Sequence, residues 1–149
     1  ACRERFSASD RIELEQRDFR EAAFPSGAFD LVVSSIAIHH LESAEKQRLF
    51  GYCFDWLTPD GIFCFADQCA GATDDLYDRH LENWKHLTFA AGSAQSDWDM
   101  WMQHQRDHDH HDTLIDQLQW LQGAGFSVVD CTWRYLLWSV IQPRKQRER

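Results

Sequence analysis

Hydrophobic and polar residues are arranged along this chain in blocks that predict strands and helices in turn. The most apolar block runs from Phe29 to Ile36. It is nearly continuous, which is typical of a parallel strand covered on both faces. A second apolar block, Ile62 to Ala66, follows a Thr-Pro-Asp-Gly turn at 58–61. These blocks predict two neighbouring parallel strands that both end in small and polar residues.

Apolar residues at helical spacing predict helices in the segments that follow the two predicted strands. A helix capped by Ser43 is predicted from Leu49, Phe50, Cys53, Phe54 and Leu57. From 74 to about 109 the chain is rich in Trp, His, Asp and Gln. Here the pattern predicts a helix through Leu76, Leu81, Trp84 and Leu87, a loop at 90–96 and a short helix at 98–104.

The two ends of the chain complete an α/β pattern. Residues 1–6 have the composition of a helix already under way, and Arg11–Gln16 alternates like a short strand with one polar face. Near the other end, Thr113 and Asp116 resemble a capping box ahead of a helix that closes at Gly123 or Gly125. The β-rich runs 127–133 and 135–142, separated by Arg134, predict a tight hairpin.

Composition narrows the possible partners. The 149 residues fit one domain, and 44% hydrophobic content supports a packed core. A net charge of −9 disfavours nucleic acid and anionic membranes. The sequence has neither an apolar run of about 20 residues nor a signal-peptide pattern. The five cysteines form no CxxC pair, and we expect Cys53, Cys64 and Cys131 to be buried, reduced thiols of a cytoplasmic protein.

Four of these features in this order resemble class I S-adenosylmethionine-dependent methyltransferases over residues 3–145. They are Asp18-Phe19 past a strand, the run FDLVVSSIAIHHL at 29–41, the Leu-Thr-Pro-Asp-Gly-Ile-Phe turn at 57–63, and the closing helix and hairpin at 118–145. The resemblance implies a three-layer, Rossmann-like α/β sheet. This sheet would be mostly parallel, with an antiparallel C-terminal hairpin, in a single partial domain (1–149) whose residues 74–111 form a helical lid.

One part of the family pattern is not found. Members hold the cofactor with a glycine-rich turn after the first strand and an acidic residue ending the second, but the first glycine here is Gly27. The resemblance therefore implies that the N-terminal strands are missing and that the chain is the C-terminal part of such an enzyme. We expect the Phe29 strand to expose an apolar edge, through which the chain could form homo-oligomers. We also expect the chain to be inactive alone.

The resemblance assigns cofactor contacts to two places. Asp18 would accept a hydrogen bond from the adenine amino group of S-adenosylmethionine, with Phe19 against the ring. The alternative for Asp18 is a surface carboxylate that caps a turn. Ser34, Ser35 and Ile36 would pass near the sulfonium and the transferred methyl group, although Ile36 could equally belong to the core.

Polar residues after the two strands are candidates for the chemistry. His40 or His39 could be a general base, because imidazole titrates near neutral pH. Adjacent residues usually point in different directions, so we expect the two not to serve one site equally: one could be the base and the other a structural hydrogen-bonding residue. Asp67 and Gln68 could position a small-molecule acceptor or cap the loop that follows, and Trp84 could contact the acceptor or pack under the helical lid.

The histidine-rich run at 104–111 invites a metal interpretation. It contains His104, His108, His110 and His111, and histidine and aspartate are good ligands for zinc. No ligand framework of recognisable spacing surrounds the run, so the sequence predicts a solvated linker and no metal.

The predicted function is therefore methyl transfer to a small molecule, with catalysis mainly by alignment. Two alternatives stay open. The first is a non-catalytic interaction or regulatory module, which the missing glycine-rich turn supports. The second is another doubly wound enzyme, such as a nucleotide-dependent oxidoreductase, which the closing hairpin disfavours.

Overall fold

A computed structural model describes residues 2–6 and 9–146 of the chain. Its helices are α1 (Cys2–Phe6), α2 (Ser43–Trp56), α3 (Asp74–Ala90), α4 (Gln95–His108) and α5 (Leu114–Gly123). Its strands are β1 (Phe29–Ser35), β2 (Leu57–Gln68), β3 (Cys131–Tyr135) and β4 (Trp138–Ile141). Two short 3-10 helices occupy Phe19–Glu21 and Ile38–His40. None of the described helices combines the length and the apolar character that crossing a bilayer requires.

The four described strands form one mixed sheet in the order β1-β2-β4-β3. β1 and β2 are parallel, with Val32 opposite Phe63. β4 runs antiparallel to β2, with Ile141 opposite Phe65, and pairs antiparallel with β3. The predicted α/β architecture, a parallel pair followed by an antiparallel C-terminal hairpin, is confirmed.

The hydrophobic core lies between this sheet and helices α2 and α5. Phe50 of α2 has its ring centroid 5.6 Å from that of Phe65, which stacks on Phe63 at 4.8 Å. From α5, Leu121 is fully buried in the same cluster. Helix α3 buries no residue completely. The sheet is therefore fixed mainly by α2 and α5.

The strand predicted for Arg11–Gln16 is wrong. Among the described residues, no strand pairs with this segment, and Ile12 and Leu14 are exposed. Alternation of polar and apolar residues shows that a segment could bury one face, but a strand also needs a neighbour for its backbone hydrogen bonds.

Three predicted boundaries also change. β2 begins at Leu57 and includes residues 58–61, which were predicted as a turn. The hairpin turns at Leu136 and Leu137 rather than at Arg134. The N-cap of α2 is Glu42, whose N–H donates to Oε2 of Glu45, while Ser43 is the first helical residue.

The cysteine prediction is partly confirmed. Cys53, Cys64, Cys69 and Cys131 are free, but of these only Cys53 and Cys69 are buried, whereas Cys64 and Cys131 are half-buried. Burial raises the pKa of Cys53 to about 12 and that of Cys69 to about 11. Both buried thiols are therefore protonated at neutral pH and act as apolar core groups.

The β1 edge of the sheet has the predicted apolar surface. β1 is the first strand of the sheet order and pairs only with β2 among the described strands. On this strand Leu31 is 55% exposed and Val33 is 67% exposed. Oligomerisation through this edge stays a prediction.

We predict that Gly71→Ala destabilises the fold by about 1–3 kcal/mol, the usual cost of overpacking. A Cβ at Gly71 would lie 2.4 Å from the backbone N of Tyr77 and 2.8 Å from its Cα, so α3 would have to move. The matched control is Gly51→Ala in α2, where a Cβ meets nothing within 4 Å. Because alanine favours helix, the control should stabilise by up to about 1 kcal/mol. Urea unfolding of both variants measures the difference, and equal midpoints would contradict the prediction.

Candidate functional site

The chain leaves β1 through a strained residue. Ile36 has a φ of 49°, a left-handed conformation that is rare for a β-branched side chain. Its N–H donates to the Ala66 carbonyl at 2.8 Å, so the turn stays attached to β2. The 3-10 helix Ile38–His40 follows directly. Strain of this kind is kept only where the surroundings determine the conformation, and it is common at functional sites.

The carboxylate of Asp67, at the end of β2, holds this turn. Its Oδ2 accepts hydrogen bonds from the N–H of Ile38 at 2.7 Å and of His39 at 3.3 Å. Its Oδ1 accepts from the N–H of Gln68 at 2.8 Å and lies 2.5 Å from His39 Nδ1. Asp67 is only 2% exposed, so its oxygens serve neighbouring protein groups. A contact of Asp67 with an acceptor stays a prediction.

These contacts also set the protonation of Asp67. Burial acts to raise the pKa of the carboxyl, but the hydrogen bond and charge of His39, with the backbone donors, outweigh it and hold the pKa below its usual value. An ionised carboxylate can only accept hydrogen bonds, so His39 Nδ1 carries a proton and donates it to the hydrogen bond with Asp67. In the neutral imidazole of His39, the free lone pair is therefore on Nε2.

The structure brings both histidines of the turn near one carboxylate, but it exposes them unequally. The rings of His39 and His40 lie 4.0 Å apart, because the 3-10 helix turns tightly. His40 Nδ1 is 3.0 Å from Asp109 Oδ1, and His39 Nε2 is 3.7 Å from the same oxygen. The His39 side chain is 3% exposed and that of His40 is 40% exposed.

The end of the histidine-rich run, residues 109–111 after α4, docks against this turn, so the solvated linker predicted for the run is wrong in part. The N–H of His110 donates to the carbonyl of His39 at 2.7 Å. The side chains of Asp109 and His111 are 6% and 4% exposed. His104 lies at the surface, with Nε2 3.7 Å from Asp109 Oδ1. Sequence reasoning missed Asp109, although an Asp between histidines just ahead of a helix cap was the available signal.

Burial keeps His111 neutral. It lowers the pKa of His111 to about 4, against the opposing effect of the Asp109 charge. Burial also raises the pKa of Tyr77 to about 12, so the Tyr77 hydroxyl stays protonated. Tyr77 Oη accepts from Gln105 Nε2 at 2.8 Å and lies 2.5 Å from His111 Nδ1. Tyr77 therefore donates to His111 Nδ1, which places the imidazole proton on Nε2.

A cavity of about 260 Å³ opens beside these groups. Its walls include Ile36, His39, His40, Gln68, Trp84, Trp101, His104 and Asp109. Trp84 stacks on Trp101 at 5.8 Å and makes edge contacts with Trp98 and Trp138, both at 5.1 Å. Two predicted acceptor residues, Gln68 and Trp84, thus meet both histidines in what we call the aromatic cavity.

A second cavity, of about 320 Å³, adjoins β1 and α2. We call it the apolar cavity, and Phe19, Val32, Ser34, Ile38 and Trp56 are among its lining residues. Of the predicted cofactor residues, only Phe19 and Ser34 line it, and Ile36 lines the aromatic cavity instead. Ser35 lines neither of the two cavities.

Asp18 stands outside the apolar cavity and caps a turn in the structure. Its Oδ1 accepts from the N–H of Arg20 at 2.9 Å, and the Arg20 side chain binds the same carboxylate at 2.7–3.1 Å. The side-chain hydrogen bond from Arg20 holds the pKa of Asp18 below its usual value. The adenine contact of Asp18 stays a prediction and would require an exchange of partners with Arg20.

We predict that Asp67→Asn costs about 3 kcal/mol of unfolding free energy at pH 7, the usual cost of removing one member of a buried charged pair. The folded-state pKa of Asp67 is lowered from 3.8. Its stabilising contribution is therefore complete above about pH 4 and is lost as the pH falls through the lowered pKa. Urea unfolding at pH 7 and pH 3 should show a smaller difference between wild type and variant at the lower pH. Asp99→Asn, on an exposed face of α4, should change stability by less than about 0.5 kcal/mol. An equal difference at both pH values would contradict the assignment.

Comparison with known sequences connects the chain to methyltransferases. A sequence family described as a methyltransferase domain matches residues 1–61. The phosphoethanolamine N-methyltransferase of Plasmodium falciparum is 37% identical over 79 residues, which are 53% of this chain and 30% of that enzyme. The match therefore spans less than a third of the length of this curated relative.

Solved structures show the same fold over more of the chain. A S-adenosylmethionine-dependent methyltransferase from Mesorhizobium loti matches with a TM-score of 0.64 at 20% identity, covering 96% of this chain and 74% of that one. Human N-acetylserotonin methyltransferase in complex with SAM matches with a TM-score of 0.62 at 15% identity, covering 97% and 36%. Together, these comparisons show that almost the whole chain has the fold of S-adenosylmethionine-dependent methyltransferases and that residues 1–61 match the sequence family of a methyltransferase domain.

Proposed function

We propose that the protein to which this chain belongs transfers a methyl group from S-adenosylmethionine to a small molecule. The observation that carries the proposal is the placement of two cavities on either side of the β1 end. Ser34 lines the apolar cavity, and Ile36, two residues further, lines the aromatic cavity. A donor in one cavity and an acceptor in the other would meet at residues 34–36, where the family resemblance puts the transferred methyl.

The apolar cavity suits the adenosine part of the cofactor. Phe19 offers a flat aromatic face there, and aromatic stacking favours a planar base. The human relative with the same fold was solved in complex with SAM, which supports this cofactor here. When bound, S-adenosylmethionine supplies an electrophilic methyl group on a positively charged sulfur.

The aromatic cavity suits an apolar or planar acceptor of small size. Trp84 and Trp101 supply flat walls, and Gln68 offers an amide that can donate and accept hydrogen bonds. Relatives are named for phosphoethanolamine and for N-acetylserotonin, which are both small molecules. Helices α3 and α4 carry the tryptophans, so residues 74–111 would act as the lid that selects the acceptor.

In the reaction, residues 34–40 would align the acceptor and exclude water. A nucleophilic oxygen, nitrogen or carbon of the acceptor would form the new bond to the methyl carbon as the carbon–sulfur bond broke, with sulfur keeping the electron pair. His40 is the better placed of the two predicted bases, because its half-exposed ring lines the cavity while His39 is buried against Asp67. His40 would take the acceptor's proton, and His39 would position the turn.

One observation favours the non-catalytic alternative. The Asp18 carboxylate, which should bind adenine, is bound by the Arg20 side chain. A protein that kept the fold without the cofactor could use its exposed β1 edge for interactions instead. Cofactor binding separates the two functions directly.

We predict that S-adenosylhomocysteine binds the natural full-length protein and that Phe19→Ala weakens the binding about tenfold, because one aromatic contact is lost. Isothermal titration of wild type and variant measures this change. The matched control is Phe89→Ala, since Phe89 lies at the end of α3 and lines neither cavity. We expect this 149-residue chain alone to bind less tightly. A folded full-length protein that does not bind would overturn the enzyme proposal and favour the interaction module.

We predict that His40→Ala lowers kcat by about a hundredfold or more, the usual contribution of a general base. Cofactor affinity should stay unchanged, because His40 does not line the apolar cavity. Turnover with a screened acceptor and titration of S-adenosylhomocysteine give the two readouts, and His86→Ala is the control. Unchanged turnover in His40→Ala would show that alignment alone carries the reaction.

A further inference from the structure

We propose that His39, His40 and Asp109, with His104 as the fourth member, form a binding site for a divalent transition-metal ion, for which zinc is the best chemical match. The inference goes beyond methyl transfer and does not depend on it. It differs from the sequence-based prediction of no metal, because the fold brings together side chains that lie far apart in the chain.

The candidate ligand atoms of His39, His40 and Asp109 lie close enough together to bind one ion. One nitrogen of each histidine and one oxygen of Asp109 lie within 4.8 Å of one another in the set His39, His40 and Asp109. Distances to Asp109 Oδ1 are 3.0 Å from His40 Nδ1 and 3.7 Å from both His39 Nε2 and His104 Nε2. Zinc bonds of about 2.0–2.1 Å to nitrogen and oxygen place neighbouring ligand atoms about 3.3 Å apart. The observed distances bracket this value.

His39 is oriented as a ligand by its other nitrogen. Nδ1 donates to Asp67 Oδ1, so in the neutral imidazole Nε2 carries the lone pair and faces Asp109. Metal-binding histidines usually donate their second N–H to a carboxylate or carbonyl, which fixes the ring and raises its basicity. Asp67, buried at the end of β2, supplies that carboxylate.

The buried carboxylate of Asp109 independently indicates a bound cation. The Asp109 side chain is only 6% exposed, and its Oδ1 accepts no hydrogen bond of good geometry from a described residue, although His40 Nδ1 lies 3.0 Å away. Burying a carboxylate is costly unless it is both paired and hydrogen-bonded, and a bound cation would remove this cost. The other oxygen, Oδ2, lies 3.7 Å from His111 Nε2, which carries a proton and stays outside the ligand set.

A proton is the competing occupant. His40 Nδ1 also lies 3.3 Å from the carbonyl of His108, a contact that needs a proton on this nitrogen. An imidazolium on His39 or His40 could likewise neutralise Asp109. A metal ion would replace that proton, so metal affinity should fall as the pH is lowered. With metal bound, His40 would be a ligand, and the base role proposed above would apply to the metal-free protein.

The site has an entry path and an open side. His104 is 56% exposed and His40 is 40% exposed, while both line the aromatic cavity with Gln68. Imidazole nitrogen suits zinc, copper, iron and nickel, and histidines together with one carboxylate are a common set of zinc ligands. A metal at this position would join the turn after β1 to the segment that ends α4.

We predict that metal-stripped protein binds one Zn²⁺ per chain and that Asp109→Asn weakens this binding by at least a hundredfold, because a charged ligand is lost. His104→Ala should weaken it about tenfold or more, and this surface position is safe for folding. Isothermal titration with zinc chloride, without cofactor or acceptor, measures both. The matched control is His86→Ala, since His86 is 76% exposed on α3 and pairs only with Glu82 among the described carboxylates.

The visible absorption spectrum of bound Co²⁺ reports metal coordination directly, and it would not depend on these residues if they only stabilised the fold. Co²⁺ in the wild-type site should show the intense visible bands of tetrahedral coordination, and Asp109→Asn should lose them while circular dichroism stays unchanged. Weak zinc binding that is equal in wild type, His104→Ala and His86→Ala would overturn the site. Tight metal binding with the cobalt spectrum of an octahedral site would also overturn the proposed site. Failure of methyl transfer with retained zinc binding would leave the metal site standing.

Discussion

The site depends on the buried carboxylate of Asp67. It lies at the end of β2, yet its oxygens are bonded to residues 38 and 39, which follow β1. Parallel pairing brings the two strand ends side by side, and Asp67 converts this proximity into a fixed turn. Because the backbone N–H groups and His39 together hold the pKa of the carboxyl low, the charge that binds the turn persists through the neutral pH range.

A second set of buried polar contacts brings the linker after α4 onto this turn. The Lys46 ammonium, only 1% exposed, pairs with Asp112 at 2.5 Å and also donates to the carbonyl of His110. Such a pair contributes little net stability once the cost of burial is counted, but removing one partner would leave a charge in the core. The pair therefore fixes where residues 109–112 lie. Asp109 reaches His39 and His40 as a consequence.

The apolar parts of the fold could be predicted from the sequence, whereas the site could be predicted only in part. The runs that form β1 and the centre of β2 could be recognised as strands because they are short and almost continuously apolar, although Leu31 and Val33 of β1 are exposed rather than covered. Asp109 could not be placed, because its neighbours in space come from residues 39–40, about seventy positions earlier in the chain. The strand predicted for Arg11–Gln16 is not formed, although its local pattern suits a strand. A strand needs a neighbouring strand to pair with, and the local sequence does not show whether one is there.

The strained turn explains why two cavities can share one strand end. A strand that continued straight would keep alternate residues on the same two faces, and Ser34 and Ile36 would then share a face. The left-handed conformation of Ile36 breaks this alternation, so Ser34 lines the apolar cavity while Ile36 lines the aromatic one. Glycine would adopt the conformation without strain but would leave the wall open. The hydrogen bond to Ala66 and the Asp67 contacts hold the isoleucine there, and the relative placement of the cavities follows from that turn.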